Sequence, residues 1–410
     1  MRRIVGLGLA AAVLAGVAGC GGSGSDGNEV TLWMFPVILD EAKGAEFWQQ
    51  VEKDFEAANP GIDAKIELQP WEDRQEKITT ALAAGTGFDV VVLGPDQIPQ
   101  YVEQGTLAPV TDVVAPERDS FVPTALDALT VDGELYGVPF YHTSTLPVYN
   151  KELLDKAGVT DVPDTWDELK AAAPKLAAQN VATIQYAGDP KESLNLTYYP
   201  FLWQNGGQVF SADGKSVAFN DAKGVEALQF LMDLNQLGGL PQGAATQTSA
   251  LEGSPMATGK AAMMPIVQSS QLDPLGAALG AENLVVGQPI MGEKRVSFGM
   301  PGAVALSQRS ENSAAAKKLM AYLASPKVVG DLAKASGFMS PRTDVEADSA
   351  DPNAKLFTEA LPLLYGGDSH PKARQVMSVL SPQIQAALQG KKTAQQALDD
   401  AAAEADALLA

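Results

Sequence analysis

The sequence predicts an α/β fold divided into two lobes, and three observations carry that expectation. Strand and helix periodicities alternate between residues 29 and 93, the rhythm of an open, mostly parallel sheet. The chain has 410 residues, more than one ordinary core accommodates, and 46% of them are hydrophobic, enough for two. A kinked, extended stretch at 135–139, with Val148-Tyr149-Asn150-Lys151 soon after, then interrupts the rhythm. That neighbourhood reads as the first crossing between lobes.

The opening alternation puts Val30, Leu32 and Met34 on one face and Thr31 and Trp33 on the other, which is strand-like. Phe47, Trp48, Val51 and Phe55 recur at helical spacing until Asn59-Pro60-Gly61 stops the helix. Ile62, Ala64, Ile66 and Leu68 alternate as a second strand. A polar helix follows over about 73–84, with Gly85 as C-cap. The β-branched run 88–93 suits a strand buried on both faces. Thr165-Trp166-Asp167-Glu168 is a capping box that opens a helix carrying Leu169 and Leu176. Asn205-Gly206-Gly207 and Asp213-Gly214 are turns, and Val225, Leu228 and Met232 share a helix over 221–237. Residues 303–306 read as a strand, and helices follow from Ser313 and Pro326. The tail is helical, with a second capping box at Thr393-Ala394-Gln395-Gln396.

Ahead of this body lies an export signal. Arg2 and Arg3 give a positive start, and residues 4–17 are apolar but too short and too rich in Gly and Ala for a membrane span. The run ends in Val17-Ala18-Gly19-Cys20, a lipobox, in which small residues suit the signal peptidase and the thiol becomes the acylated first residue. The alternative is an ordinary signal peptide with an incidental cysteine. Cys20 is the only cysteine, which argues for an anchor rather than a disulfide or a catalytic nucleophile. Residues 1–19 are therefore expected to be a signal peptide, Cys20 a lipidation site, and 20–28 a Gly/Ser-rich tether. This puts the protein outside the cytoplasm, on the outer face of the cell membrane, held by its acyl chains. The formal charge of −21 disfavours nucleic-acid partners.

Catalytic signatures are missing. There is no His-Glu-x-x-His, and the only histidines are His142 and His370, which excludes a histidine-rich metal site while leaving carboxylates open to calcium. No Gly-x-Ser-x-Gly elbow occurs. The stretch 253–260 resembles a phosphate loop only superficially, because the glycine spacing is wrong and Ala261 replaces the hydroxyl residue. A carboxylate pair of the glycosidase kind is not excluded by counting. No cofactor is expected.

One long segment, Val138-Pro139-Phe140-Tyr141-His142-Thr143-Ser144-Thr145-Leu146-Pro147-Val148-Tyr149-Asn150-Lys151, resembles the family 1 extracellular solute-binding proteins of ABC importers, the maltose-binding-protein-like group. The resemblance extends through Gly87-Phe88-Asp89-Val90-Val91, Gly105-Thr106-Leu107 and Asp132-Gly133-Glu134-Leu135-Tyr136-Gly137. It continues through Pro163-Asp164-Thr165-Trp166, Trp203-Gln204-Asn205-Gly206-Gly207 and Gly390-Lys391-Lys392-Thr393. It implies a periplasmic-binding-protein-like type II fold: two α/β lobes joined by a hinge, with the ligand cleft between them. Residues 29–138 and 297–340 would form lobe one, and 139–296 and 341–410 lobe two. The implied partners are a small sugar and the permease subunits of an ABC importer, with the chain a monomer.

The resemblance also assigns site residues. Asp96 matches the carboxylate that accepts hydrogen bonds from sugar hydroxyls, work suited to an ionised acid. Its alternative is an N-cap for the short helix after Pro95. Thr143 stands where the maltose relative carries an acid, which argues against maltose itself, and its neighbour His142 lines the cleft or satisfies a hinge carbonyl. Tyr198, Tyr199 and Trp203 fall in the region that would supply rings to stack on sugar faces, Tyr198 and Trp203 foremost, with core packing as the alternative. Gln268, Ser269, Phe298 and Met300 fall in loops corresponding to cleft walls, and Arg342 and Tyr365 complete the set. Trp33 and Trp71 are assigned mainly to packing, Trp71 being the exception to watch. Those loops are poor in Lys and Arg, which disfavours a polyol phosphate such as glycerol 3-phosphate. A lipid-anchored glycan hydrolase and a sensor subunit are the remaining readings.

Overall fold

The computed structural model describes residues 28–346 and 353–410. The signal peptide, Cys20 and the tether up to residue 27 lie outside the described residues. Among the described residues no helix is long and apolar enough to cross a membrane.

Lobe one grows from three short strands: β1 (Glu29–Met34), β2 (Asp63–Leu68) and β3 (Val90–Leu93). β1 lies between the other two and is parallel to both. Between β1 and β2 runs α1 (Glu41–Ala58), started by the Asp40 side chain, which accepts from the Lys43 amide at 3.1 Å. It turns Trp48, Val51 and Phe55 inward, as their spacing predicts. Between β2 and β3 runs α2 (Arg74–Ala84), ended by Gly85 at φ 68°, a conformation glycine adopts without strain. All four residues of β3 are buried, the expected state of an apolar run covered on both faces.

The sheet is mixed, however. Strand Pro301–Ser307 returns from the second lobe and pairs antiparallel with β3. Leu107–Ala108 and Val138–His142 pair antiparallel with that returning strand. A strand that re-enters from across the hinge arrives in the direction opposite to the βαβ strands, which is why the parallel rhythm stops at β3.

Lobe two has a smaller antiparallel sheet, Leu146–Asn150 flanked by Met263–Val267 and Leu284–Val286. Its core is mostly helical. Helix Trp166–Ala177 opens on the Thr165/Glu168 capping box, and helix Ala394–Leu409 opens on Thr393/Gln396. With Ala222–Gln236 and Ala373–Leu388 they enclose a core separate from that of lobe one.

Strand pairing places the crossings a few residues beyond the expected boundaries. Val138–His142 still belongs to the first sheet, so the chain crosses at 143–145 rather than at 138/139. Ser297–Phe298 pairs with Leu364–Tyr365, and Phe298 is buried in the second core, so the return falls at 299–300 rather than at 296/297. Arg342 remains on lobe one, bridged to Phe121, beyond the expected 340/341 boundary.

Candidate functional site between the lobes

The carboxyl ends of parallel strands are where open α/β sheets present ligand-binding loops. Here the three ends carry Phe35 after β1, Trp71 after β2, and Gly94 to Asp96 after β3. Trp71 is 50% exposed, and its indole donates to the Pro36 carbonyl at 3.0 Å. It packs on Phe35 with ring centroids 5.1 Å apart. The Arg74 guanidinium lies over both rings, 4.5 Å from Phe35 and 5.2 Å from Trp71. Its Nη atoms donate to Gln97 Oε1 at 2.8 Å and to the Val92 carbonyl at 2.7 Å, while Nε is buried without a partner. Burial pushes this guanidinium down to about 10, still a cation at neutral pH.

Asp96 is 3% exposed, and its Oδ2 meets lobe two. Arg374 Nη2, at the start of helix Ala373–Leu388, lies 2.6 Å away, and Asn195 Nδ2 donates at 3.4 Å. Asp96 Oδ1 and Arg374 Nε are both buried with no partner. A Cβ on Gly94 would meet Asp96 Oδ1 at 2.9 Å and the Met300 methyl at 3.0 Å, so the missing side chain lets the hinge methionine approach this corner.

The facing wall belongs to helix Tyr199–Gln204 and the segment 364–368. Tyr199 and Trp203, four residues apart, share one helix face with ring centroids 5.8 Å apart. Trp203 meets Tyr365 edge-on at 4.7 Å. The Tyr365 hydroxyl donates to Asp368 at 3.4 Å. Burial pushes the Asp368 carboxyl up to about 6, against the opposing pull of that hydrogen bond. Tyr199 Oη, Trp203 Nε1 and Asp368 Oδ2 are buried and unpartnered. A pocket of about 280 Å³ opens beside Trp203, Tyr365 and Asp368. A second, of about 150 Å³, lies between Leu39 of lobe one and Thr145, Gln185 and Gln268 of lobe two. Buried polar atoms are normally satisfied, so this concentration of open donors and acceptors, on lobe two and at Asp96 where lobe one meets it, makes this corner the candidate place for a polar ligand. Among the described residues, no group of three or more His, Cys, Asp or Glu side chains is placed to hold a metal.

Residues 40–330 match the family described as bacterial extracellular solute-binding protein. The chain belongs to that family. A binding protein of Brucella abortus (strain 2308) is 28% identical to it, covering 94% of this chain and 95% of its own. Among solved structures, the ABC transporter solute-binding protein of Thermotoga lettingae bound with α-D-tagatose is 27% identical at a TM-score of 0.81, over 93% of this chain and all (100%) of that one. Maltose-bound MalE3 of T. maritima is 25% identical at a TM-score of 0.77, over 93% and 99% of the two chains. The two-lobed, hinged architecture is thus the type II fold of these solute-binding proteins.

Within this fold the residues expected at the site separate into two groups. Asp96 meets Arg374 and Asn195 of lobe two, and Met300 lies at the hinge beside Gly94. Trp203 and Tyr365 pack on each other and line the larger pocket with other residues of lobe two, and Gln268 lines the smaller pocket. Asp96 is not a helix cap, since the cap position of helix Ile98–Glu103 is Gln97. The others are occupied elsewhere. Thr143 donates to the Met300 carbonyl at 3.1 Å and accepts from the Met300 amide at 2.9 Å, locking the two hinge strands together. His142 Nδ1 sits 2.8 Å from the Thr143 carbonyl, and burial pushes its pKa down, keeping it neutral at pH 7. Tyr198 is fully buried and donates to the Gly224 carbonyl at 3.0 Å. Ser269 donates to the Gly337 carbonyl across the lobes, and the carbonyl of buried Phe298 accepts from Thr145 at 2.5 Å. Arg342 spends its donors on Asp344, Glu117 and the Ala324 carbonyl within lobe one.

Four site residues were missed in sequence: Arg74, Asn195, Asp368 and Arg374. For Arg74 a signal existed, because an exposed Trp three residues before an Arg at a helix start places a cation over an aromatic face. The loops expected to be poor in Lys and Arg do not hold these two arginines, which sit at helix starts instead.

Proposed function

We propose that this protein is the extracytoplasmic receptor of an ABC importer, closing its two lobes on a mono- or oligosaccharide and presenting it to the permease. The observation that carries the reading is the set of buried, unbonded polar atoms on Asp96 of one lobe and on Arg374, Tyr199, Trp203 and Asp368 of the other, with aromatic rings on each lobe, Trp71 on one and Trp203 with Tyr365 on the other. Sugars offer apolar C–H faces to such rings and hydroxyls to such atoms. The similar Thermotoga structures, which hold tagatose and maltose, support it. The same reading anchors the protein through Cys20 and keeps it monomeric.

Isothermal titration against a sugar panel tests this directly. At least one sugar should bind at micromolar or tighter affinity and reduce the radius of gyration in small-angle scattering, as lobe closure requires. Failure of every sugar to bind, or conversion of a glycan to products, defeats the receptor reading. Cys20→Ser should release the protein from the membrane fraction, and retention there as a processed species defeats the anchor.

A further inference from the structure

The two lobes touch each other directly at two separate places. At one, the Ser269 hydroxyl of lobe two donates to the Gly337 carbonyl of lobe one. A Cβ on Gly337 would meet Ser269 Oγ at 2.6 Å and the Ser270 nitrogen at 3.0 Å, so this approach depends on the missing side chain. At the other, Asp96 Oδ2 of lobe one meets Arg374 Nη2 of lobe two at 2.6 Å, and Asn195 Nδ2 donates to the same oxygen at 3.4 Å. Neither charged residue lines either pocket of the site; they face each other.

This ion pair holds the lobes together rather than building either one. Arg374 lies in the first turn of helix Ala373–Leu388, where the helix dipole opposes a cation, so its charge does not serve that helix. Among the described residues neither member has another ion-pair partner, so the attraction acts wholly across the lobe boundary. The carboxylate is 2% exposed and the guanidinium 27%, and water screens the pair poorly while the lobes are shut. Opening returns both charges to water, which limits the hold and lets the lobes part. A third charge matters as well. Arg74, on lobe one, is repelled by Arg374 and attracted by Asp96. Asp96 therefore converts an interlobe repulsion between two guanidiniums into an attraction.

We infer that Asp96 and Arg374 form a latch that closes the lobes on each other without any ligand, so that the empty protein divides itself between open and closed forms. A ligand then draws the open remainder shut. The inference stands on the two-lobed fold and these contacts, and it goes beyond the sugar reading.

The test uses the mature chain, unfolded and refolded to strip any bound solute. Small-angle scattering with no ligand present resolves each sample into closed and open shares. Arg374→Gln removes the attraction and should lower the closed-to-open ratio about tenfold, the worth of a charge-assisted hydrogen bond. Asp96→Asn also leaves Arg74 facing Arg374 with no anion to offset them, and should lower the ratio further. Arg374→Lys keeps the charge and should recover part of the loss. Equal closed shares in the parent and both neutral variants, or a parent with no closed share, overturn the latch. So does an Arg374→Lys protein as open as Arg374→Gln with the same fall in melting temperature, the mark of an arginine that only shapes its helix start. No sugar enters the measurement. Failure of the sugar panel therefore leaves the latch standing, and failure of the latch leaves the receptor reading intact.

Discussion

The hinge floor and the cleft wall are both buried and both polar, yet they treat hydrogen bonds in opposite ways. At the floor, the Thr143 hydroxyl engages the Met300 amide and carbonyl, Thr145 reaches Ser297 and Phe298, and Ser144 reaches the Phe357 carbonyl. At the wall, Asp96, Arg374, Tyr199, Trp203 and Asp368 each keep a buried polar atom without a partner. A floor that must bend without breaking is best built from satisfied local pairs. A wall that must hold a solute keeps its bonding capacity open until the solute arrives. Burial and polarity alone therefore do not identify the candidate site; the clustering of unspent hydrogen-bonding capacity, which Thr183 shows only singly elsewhere, points to it.

This contrast can be broken by substitution. The largest expected effect is on a saturated group. Arg342→Ala removes a buried guanidinium bonded to Asp344, Glu117 and the Ala324 carbonyl, and should cost about 3 kcal/mol of stability with sugar affinity unchanged. Chemical denaturation beside titration calorimetry reads both, and an affinity loss beyond threefold would place Arg342 in the cleft after all.

Next is Asp368, on the unsaturated side. Folding raises its pKa from 3.8 to about 6, so the folded chain holds more protons than the unfolded one across that interval. Its contribution to stability is fully favourable below about 4, falls as pH rises, and is a full penalty above about 6. Asp368→Asn should therefore stabilise the ligand-free protein at pH 7 by about 1–2 kcal/mol and flatten its pH dependence between pH 4 and 6. A variant melting profile parallel to the parent's across that range would rule out the shift.

Thr143→Val should cost about 1 kcal/mol, the worth of a buried hydrogen bond, while Thr143→Ser should restore most of it. If the valine variant instead loses affinity at unchanged stability, Thr143 belongs to the wall. The smallest effect concerns Trp71, half exposed at the cleft edge. Trp71→Ala should leave the melting temperature within about 2 °C of the parent while weakening sugar binding about three- to tenfold, as loss of one aromatic contact implies. Unchanged affinity would return Trp71 to packing.

Elements set by local chemistry were legible from the chain: the Thr165 and Thr393 capping boxes, the Gly85 stop, and the buried run of β3 all appear where their residues imply. The site was legible only where a strand end pointed to it, as with Asp96. Its partner Arg374 lies far along the chain on the other lobe, and no local pattern links them. Helix geometry separates the three rings expected near the turn: five residues put Tyr198 and Trp203 on different faces, and Tyr198 donates to the Gly224 carbonyl. Tyr199, four residues before Trp203, is its neighbour.

The returning strand Pro301–Ser307 also governs the order in which the chain can assemble. Among the described residues Leu107–Ala108 and Val138–His142 pair with no strand other than this one, apart from a single bridge from His142 to Met339, and β3 has it as one of its two. Thr143 and Met300, which flank the crossing, are 157 residues apart. During synthesis the amino-terminal lobe therefore remains an unfinished sheet, its apolar edge uncovered, until the first part of its partner has been made. Lobe one thus waits for a strand made after most of lobe two, lobe two in turn waits for the carboxyl-terminal helices, and the late loop closure of so long a segment makes for slow folding. For a chain expected to cross a membrane before it folds, that delay keeps the polypeptide open during export.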